Sequence, residues 1–132
     1  DSLVRPYFHT EWPEAQKVNG ITPEMVAGAP YPHELLPQLV EIFSEMSVCI
    51  GYNTSFDLGF LDRIGIPTEH LTVIDVMQMF VDYLNANGGT RRRASLSTCT
   101  KHFDYQWEGA AHNSLADAKA TLYCYNMMKI IK

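Results

Sequence analysis

Two short apolar runs, Val48-Cys49-Ile50-Gly51-Tyr52 and Leu71-Thr72-Val73-Ile74, each give way at once to a polar residue and a helical pattern. Runs this short and this apolar read as strands buried on both faces. Asn53 breaks the first, and a helix is expected from about Thr54 through Leu58, Phe60, Leu61 and Ile64, ended by Gly65-Ile66-Pro67. The second run leads into a helix from about Asp75 to Leu84. Strands that alternate with helices imply an α/β fold with at least part of the sheet parallel.

The flanking segments fit that class. Ser2-Leu3-Val4-Arg5 reads as the tail of a strand, placed at an edge because Pro6 follows. Residues 7–20 read as a loop ending at Asn19-Gly20. Thr22-Pro23-Glu24 opens a helix, with Thr22 as cap and proline in the first turn, and Gly28-Ala29-Pro30 keeps it short. A longer amphipathic helix follows, with Leu35, Leu39, Ile42 and Met46 on one face and Pro37 in or near its first turns. Beyond the loop Asn87-Gly88-Gly89 come a brief helix over Leu96–Phe103, a turn at Glu108-Gly109, and a last helix from Ser114 to Ile131. Its stripe is Ala116, Ala120, Tyr123, Met127 and Ile130. Met77, Met79, Met127 and Met128 read as core. The whole of residues 1–132 is one expected domain, and 46% hydrophobic residues are enough to bury a core.

Net charge is −5, which argues against coating nucleic acid by electrostatics alone. It leaves room for an enzyme that grips one nucleic-acid end through bound cations, which would supply the positive charge locally. The three cysteines, Cys49, Cys99 and Cys124, are far apart and odd in number, so reduced thiols in a cytoplasmic protein are expected rather than a zinc site. No apolar run approaches the roughly 20 residues of a membrane span, so no membrane association is expected.

Two acidic helix starts carry the chemistry, Asn53-Thr54-Ser55-Phe56-Asp57 and His112-Asn113-Ser114-Leu115-Ala116-Asp117. Thr54-x-x-Asp57 and Ser114-x-x-Asp117 both fit capping boxes, in which the acid merely satisfies helix-end donors. A carboxylate in a helix's first turn is also held ionised by the helix dipole and projects beyond the sheet edge, where α/β proteins place their sites. His112 cannot share a helix face with Asp117, since five steps of about 100° leave them roughly 140° apart. From the loop feeding the helix it could reach the same cleft and act as a general base. Two carboxylates and one imidazole are parts of a metal-dependent phosphodiesterase.

Ile50 to Leu61, containing Asn53, Phe56 and Asp57, resembles the second motif of the DEDDh exonucleases, the 3′–5′ exonuclease group of RNase T and the DNA polymerase III epsilon subunit. Ala111-His112-Asn113-Ser114-Leu115-Ala116-Asp117-Ala118 resembles its third motif. Leu3-Val4-Arg5-Pro6, Asn19 to Val26, Ile74-Asp75 and Leu96 to Phe103 are similar to intervening stretches, in order along the chain. The resemblance implies an RNase H-like fold, a mixed sheet flanked by helices. It implies two divalent cations, Mg²⁺ or Mn²⁺, held by four carboxylates, with Asp57 and Asp117 as two of the ligands. His112 would take the proton of the attacking water, and Asn53 and Phe56 would shape the pocket for the 3′ nucleotide. The implied reaction is hydrolysis of terminal phosphodiesters of DNA or RNA to nucleoside 5′-monophosphates. The implied partners are single-stranded or 3′-end nucleic acid and a DNA polymerase.

Three features depart from that pattern or stand beside it. The family's first motif, an Asp-x-Glu on the first strand, has no counterpart, since Glu11 and Glu14 sit on no buried strand. The chain is therefore expected to begin after it, with two strands, roughly 20–40 residues, ahead of Ser2. A separate segment or a second copy completing the sheet is the other way to close it. Tyr52 stands where many relatives carry histidine. Arg91-Arg92-Arg93 reads either as a solvated loop or as backbone contacts, with Arg92 and Arg93 singled out for the phosphates. Trp12, Tyr105 and Trp107 read as rim packing or base-stacking groups. The competing functional reading is a non-catalytic nucleic-acid- or partner-binding module with a degenerate site.

Overall fold

The computed structural model describes residues 1–109 and 112–131; Ala111, in the stretch resembling the third motif, lies outside them. The elements run α1 (Pro13–Asn19), α2 (Pro23–Val26), α3 (Pro32–Glu45), β1 (Val48–Gly51), α4 (Thr54–Arg63), β2 (Thr72–Asp75), α5 (Val76–Ala86), α6 (Leu96–His102) and α7 (Ser114–Ile130). β1 and β2 pair in parallel, Val48 opposite Thr72 and Gly51 opposite Asp75, with α4 as the crossover. That register brings the ends of both strands, and the starts of α4 and α5, to one edge of the sheet.

The core lies where α5, α6 and α7 meet. Val76 and Phe80 of α5, Cys99 of α6, Phe103 just after it, and Cys124 and Met128 of α7 form one buried cluster. Phe80 packs edge-on against Phe103 at 5.9 Å between ring centroids, the geometry that ring quadrupoles favour. The α7 stripe is rotated from the expected one. Ala116, Ala120, Thr121, Cys124 and Met128 are buried, whereas Ile130 at the helix end is exposed. Of the methionines read as core, Met128 is buried, and Met77, Met79 and Met127 are half-buried.

Several expectations are corrected. Ser2–Arg5 forms no strand; the Arg5 amide donates to the Pro30 carbonyl, and no ladder extends from it. Residues 13–19, expected as loop, form α1, opened by Pro13 and closed by Gly20 at φ 71°, the proline-first, glycine-last arrangement of a short helix. It buries no side chain, so no apolar periodicity announced it. On α3, Ile42 is exposed while Leu35, Leu39, Phe43 and Met46 are half-buried, so the inward face is centred one step from the expected stripe.

The strands are not sealed on both faces. Val48 is 46% exposed and Ile50 36% exposed. β1 pairs with β2 on one side, and no described strand pairs with its other edge. An apolar strand left with an open edge and open side chains is a template for another extended segment.

Candidate active site

Asp75 organises the strand edge. It caps α5 by accepting from the amides of Met77 (3.0 Å) and Gln78 (3.4 Å). The same carboxylate reaches across to the start of α4, accepting from the amide of Asn53 at 3.0 Å, and from the amide and hydroxyl of Thr54 at 3.1 and 3.2 Å. One side chain thus fixes two helix starts against each other. Asn53 takes a left-handed conformation, φ 59°, which asparagine tolerates better than most residues. Gly51 makes the approach feasible, since a Cβ there would lie 2.7 Å from the Thr54 methyl.

This joint bears on the expected capping box at the start of α4. Asn53, not Thr54, is the N-cap of α4, and Thr54 spends its hydroxyl on Asp75. Asp57 is therefore one position too far along for a capping box. The same shift occurs on α7, where Asn113 is the N-cap and its side chain accepts from the Ala116 amide at 3.2 Å. Ser114 instead donates to Asp1. Neither expected box forms, and neither acid is used as a cap.

Both acids line one cavity. It measures about 510 Å³ and runs along β1 between α4 and α7, walled by Ile50, Phe56, Asp57, Leu61, Asp117 and Thr121 among others. Partial desolvation there, with the nearby charge of Asp75 adding to it, raises the Asp57 pKa above the usual carboxylate value despite a backbone hydrogen bond that lowers it. Desolvation thus outweighs the helix-start stabilisation expected of Asp57. Cys49, on the same wall, is pushed up by burial and by Asp57.

His112 sits in the loop before α7 in a left-handed conformation, φ 67°. Its amide donates to the Asp117 carboxylate at 3.1 Å. The bond ties the loop backbone to the acid, and the histidine itself stays exposed. Phe56 is 63% exposed beside Asp57 and packs edge-on against Phe60.

Asn53 lines a second cavity of about 550 Å³, with Tyr52, Arg91 and Arg93. Arg93 was singled out from the sequence. Arg91 was not, and it lines this cavity where Arg92, itself exposed, is not among the lining residues. Tyr105 packs on Tyr123 and Trp107, and the Trp12 indole donates to the Ile21 carbonyl. These contacts fit rim packing.

Among the described residues no three His, Cys, Asp or Glu side chains gather as a metal site. Asp57 of α4 and Asp117 of α7 offer donors to one cavity, which fits part of a cation site and not a whole one. No helix among the described residues is long and apolar enough to cross a membrane.

The exonuclease family model for RNase T-type proteins matches residues 3–125. The chain belongs to this family, the DEDDh-type exonucleases. An exonuclease-family protein of Mycobacterium tuberculosis, named for both exonuclease and endonuclease activity, is 30% identical over 125 residues, 92% of this chain and 19% of its own length. The DNA polymerase III epsilon subunit of Pasteurella multocida is 34% identical over 74 residues, 51% of this chain and 29% of its own. A PolC-type DNA polymerase III of Halalkalibacterium halodurans is 28% identical over 109 residues, 80% of this chain and 7% of that one. The chain thus spans well under a third of each of these relatives. The crystal structure of cell-death related nuclease 4 superposes with a TM-score of 0.67 at 15% identity, over 98% of this chain and 48% of the other. That likeness supports the RNase H-like exonuclease fold.

Proposed function

We propose that this chain forms, as a single domain, part of a 3′–5′ exonuclease that removes terminal nucleotides of DNA or RNA as nucleoside 5′-monophosphates. The observation that carries it is the convergence of Asp57 and Asp117, from two separate helices, on one cavity beside an open strand edge. Neither acid serves as a helix cap, so both remain for chemistry. Asp57 and Asp117 would hold one side of a Mg²⁺ or Mn²⁺ site of two ions. Such cations, when bound, activate water and stabilise the charge of an in-line displacement. A separate extended segment or a second copy seated along β1 would close the sheet, and an acidic segment there would bring the remaining donors. His112 is proposed to accept the proton of the attacking water, and Asn53 and Phe56 to bound the 3′ nucleotide. A DNA polymerase is the proposed protein partner, on the strength of two relatives' names, and the cytoplasm the proposed compartment.

The incomplete donor set favours a second reading, a module that binds nucleic acid or a partner without turnover. Incubation of 5′-labelled single-stranded DNA and RNA with the protein joined by the acidic segment that supplies the remaining carboxylates, and Mg²⁺ or Mn²⁺, separates the two. The expected result is shortening from the 3′ end with release of mononucleotides, abolished in Asp57→Ala, Asp117→Ala and His112→Ala proteins that stay folded. Near-wild-type turnover in Asp117→Ala would reject the ligand assignment. Absence of both turnover and a Mn²⁺ site would favour the binding module.

A further inference from the structure

The second cavity adjoins the first. Tyr52 and Leu96 line both, so they form the partition between a cavity lined by Asp57 and Asp117 and one lined by Arg91 and Arg93. The loop that presents the arginines is held at both ends. Asn85 grips the Arg91 backbone in both directions, its amide nitrogen donating to the carbonyl at 2.9 Å and its oxygen accepting from the amide at 2.8 Å. Three residues on, the Tyr52 hydroxyl donates to the Ala94 carbonyl at 2.9 Å, which pins the loop to the end of β1.

The arginines themselves are not spent on structure. The ion pairs among the described residues are Lys17–Glu14 and Lys119–Glu108, so Arg91, Arg92 and Arg93 have no carboxylate of a described residue within 4 Å. Three adjacent cations repel one another, and arginine cannot relieve this by losing its proton. A fixed backbone beneath unpaired guanidinium groups suits an anion with paired oxygens, which a planar fork binds at two points. The walls also include Met77 and the Tyr52 side chain, apolar surface that a sugar or base can cover and a free phosphate cannot.

We infer that Arg91 and Arg93 form a subsite for the backbone phosphate of a polynucleotide upstream of its 3′-terminal residue, the strand crossing the Tyr52 partition from one cavity to the other. This rests on the exonuclease reading and assigns the substrate's second point of attachment. Asn85 is a positioning residue, acting through the Arg91 backbone.

The test reads binding without turnover. A 5′-fluorescein single-stranded oligonucleotide is titrated with the protein in EDTA, by anisotropy, over a series of salt concentrations. Each phosphate contact on a single strand contributes a slope of about 0.7 in log K against log salt, so Arg91→Ala/Arg93→Ala, which removes one such contact, should lower the slope by about 0.7 and weaken binding roughly tenfold. Arg5→Ala, which changes an arginine outside both cavities, should leave the slope unchanged. Inorganic phosphate should displace the oligonucleotide only weakly. A wild-type slope and affinity in the double variant would overturn the subsite and leave the exonuclease reading standing. Displacement by inorganic phosphate as potent as by unlabelled oligonucleotide would overturn the polynucleotide assignment. A wild-type protein that binds no oligonucleotide in EDTA at any salt concentration would overturn the subsite, which needs no metal, and would leave the exonuclease reading to the metal-dependent turnover assay.

Discussion

Replacing Asp75 should damage the protein more than loss of an ordinary helix cap. Its two oxygens accept five hydrogen bonds, from Asn53, from the amide and hydroxyl of Thr54, and from Met77 and Gln78. Truncation to alanine removes the α5 cap, a loss of about 0.5–2 kcal/mol. It also strands the amides of half-buried Asn53 and buried Thr54, which adds about 1–3 kcal/mol. The sum is roughly 1.5–5 kcal/mol, or a fall in Tm of about 5–20 °C for a chain of this size. Asp75→Asn is the sharper variant. Every group facing the carboxylate is a donor, and asparagine offers one acceptor oxygen where aspartate offers two, so its NH₂ must face another donor. At least half of the alanine loss is expected in Asp75→Asn. Thermal unfolding of the two variants beside the wild type checks this, and an asparagine variant as stable as wild type would refute the claim that one carboxylate joins both helix starts.

Two other outcomes follow from the geometry. The Asp57 pKa is raised in the folded chain, so between its unfolded and folded values the folded state binds more protons than the unfolded one. Stability contributed by this group therefore falls as pH rises through that window and stays lost above it. Asp57→Asn should raise Tm at neutral pH relative to wild type and flatten its decline above the ordinary carboxylate range. A lowered Tm at neutral pH would restore the capping reading. Gly89 packs where a Cβ would lie 2.8 Å from the Leu84 carbonyl and 3.2 Å from the Asn85 side-chain oxygen. Gly89→Ala should cost about 1–3 kcal/mol and weaken oligonucleotide binding by disturbing the Asn85 clamp; an unchanged Tm and affinity would show that the loop has slack.

The parts of the fold that were legible in the sequence are those with local signals. The two apolar runs, the cap at Thr22 and the helices after each strand follow from residue type and spacing, and all are found. What failed was face and partner. The runs at Val48 and Val73 carry the apolar content of buried strands, yet Val48 is 46% and Val73 41% exposed. Burial depends on what covers a strand, and that is a property of the assembled sheet. Likewise α1 buries nothing, so its residues carry no periodicity to find, although Pro13 and Gly20 mark both its ends.

The site divides the same way. Asp57 and Asp117 were visible because a resemblance ordered them along the chain, but their freedom from capping was not. The boxes Thr54-x-x-Asp57 and Ser114-x-x-Asp117 match the pattern residue for residue. They fail because a long-range acceptor, Asp75, takes Thr54 and moves the N-cap back to Asn53, and because Asn113 takes the cap of α7. On α7 the asparagine directly before Ser114 was the available local signal, since asparagine competes well for the N-cap; Asn53 makes no side-chain cap bond and holds its place through its left-handed backbone. Asp75 itself read as a helix start and, with Ile74, as resembling the strand end and acid between the two motifs. Its reach to α4 exists because the parallel register sets Gly51 opposite Asp75, a pairing that neither segment specifies alone. The arrangement makes the acid between the two motifs a structural one, and it leaves the carboxylates one step further along their helices to face the cavity.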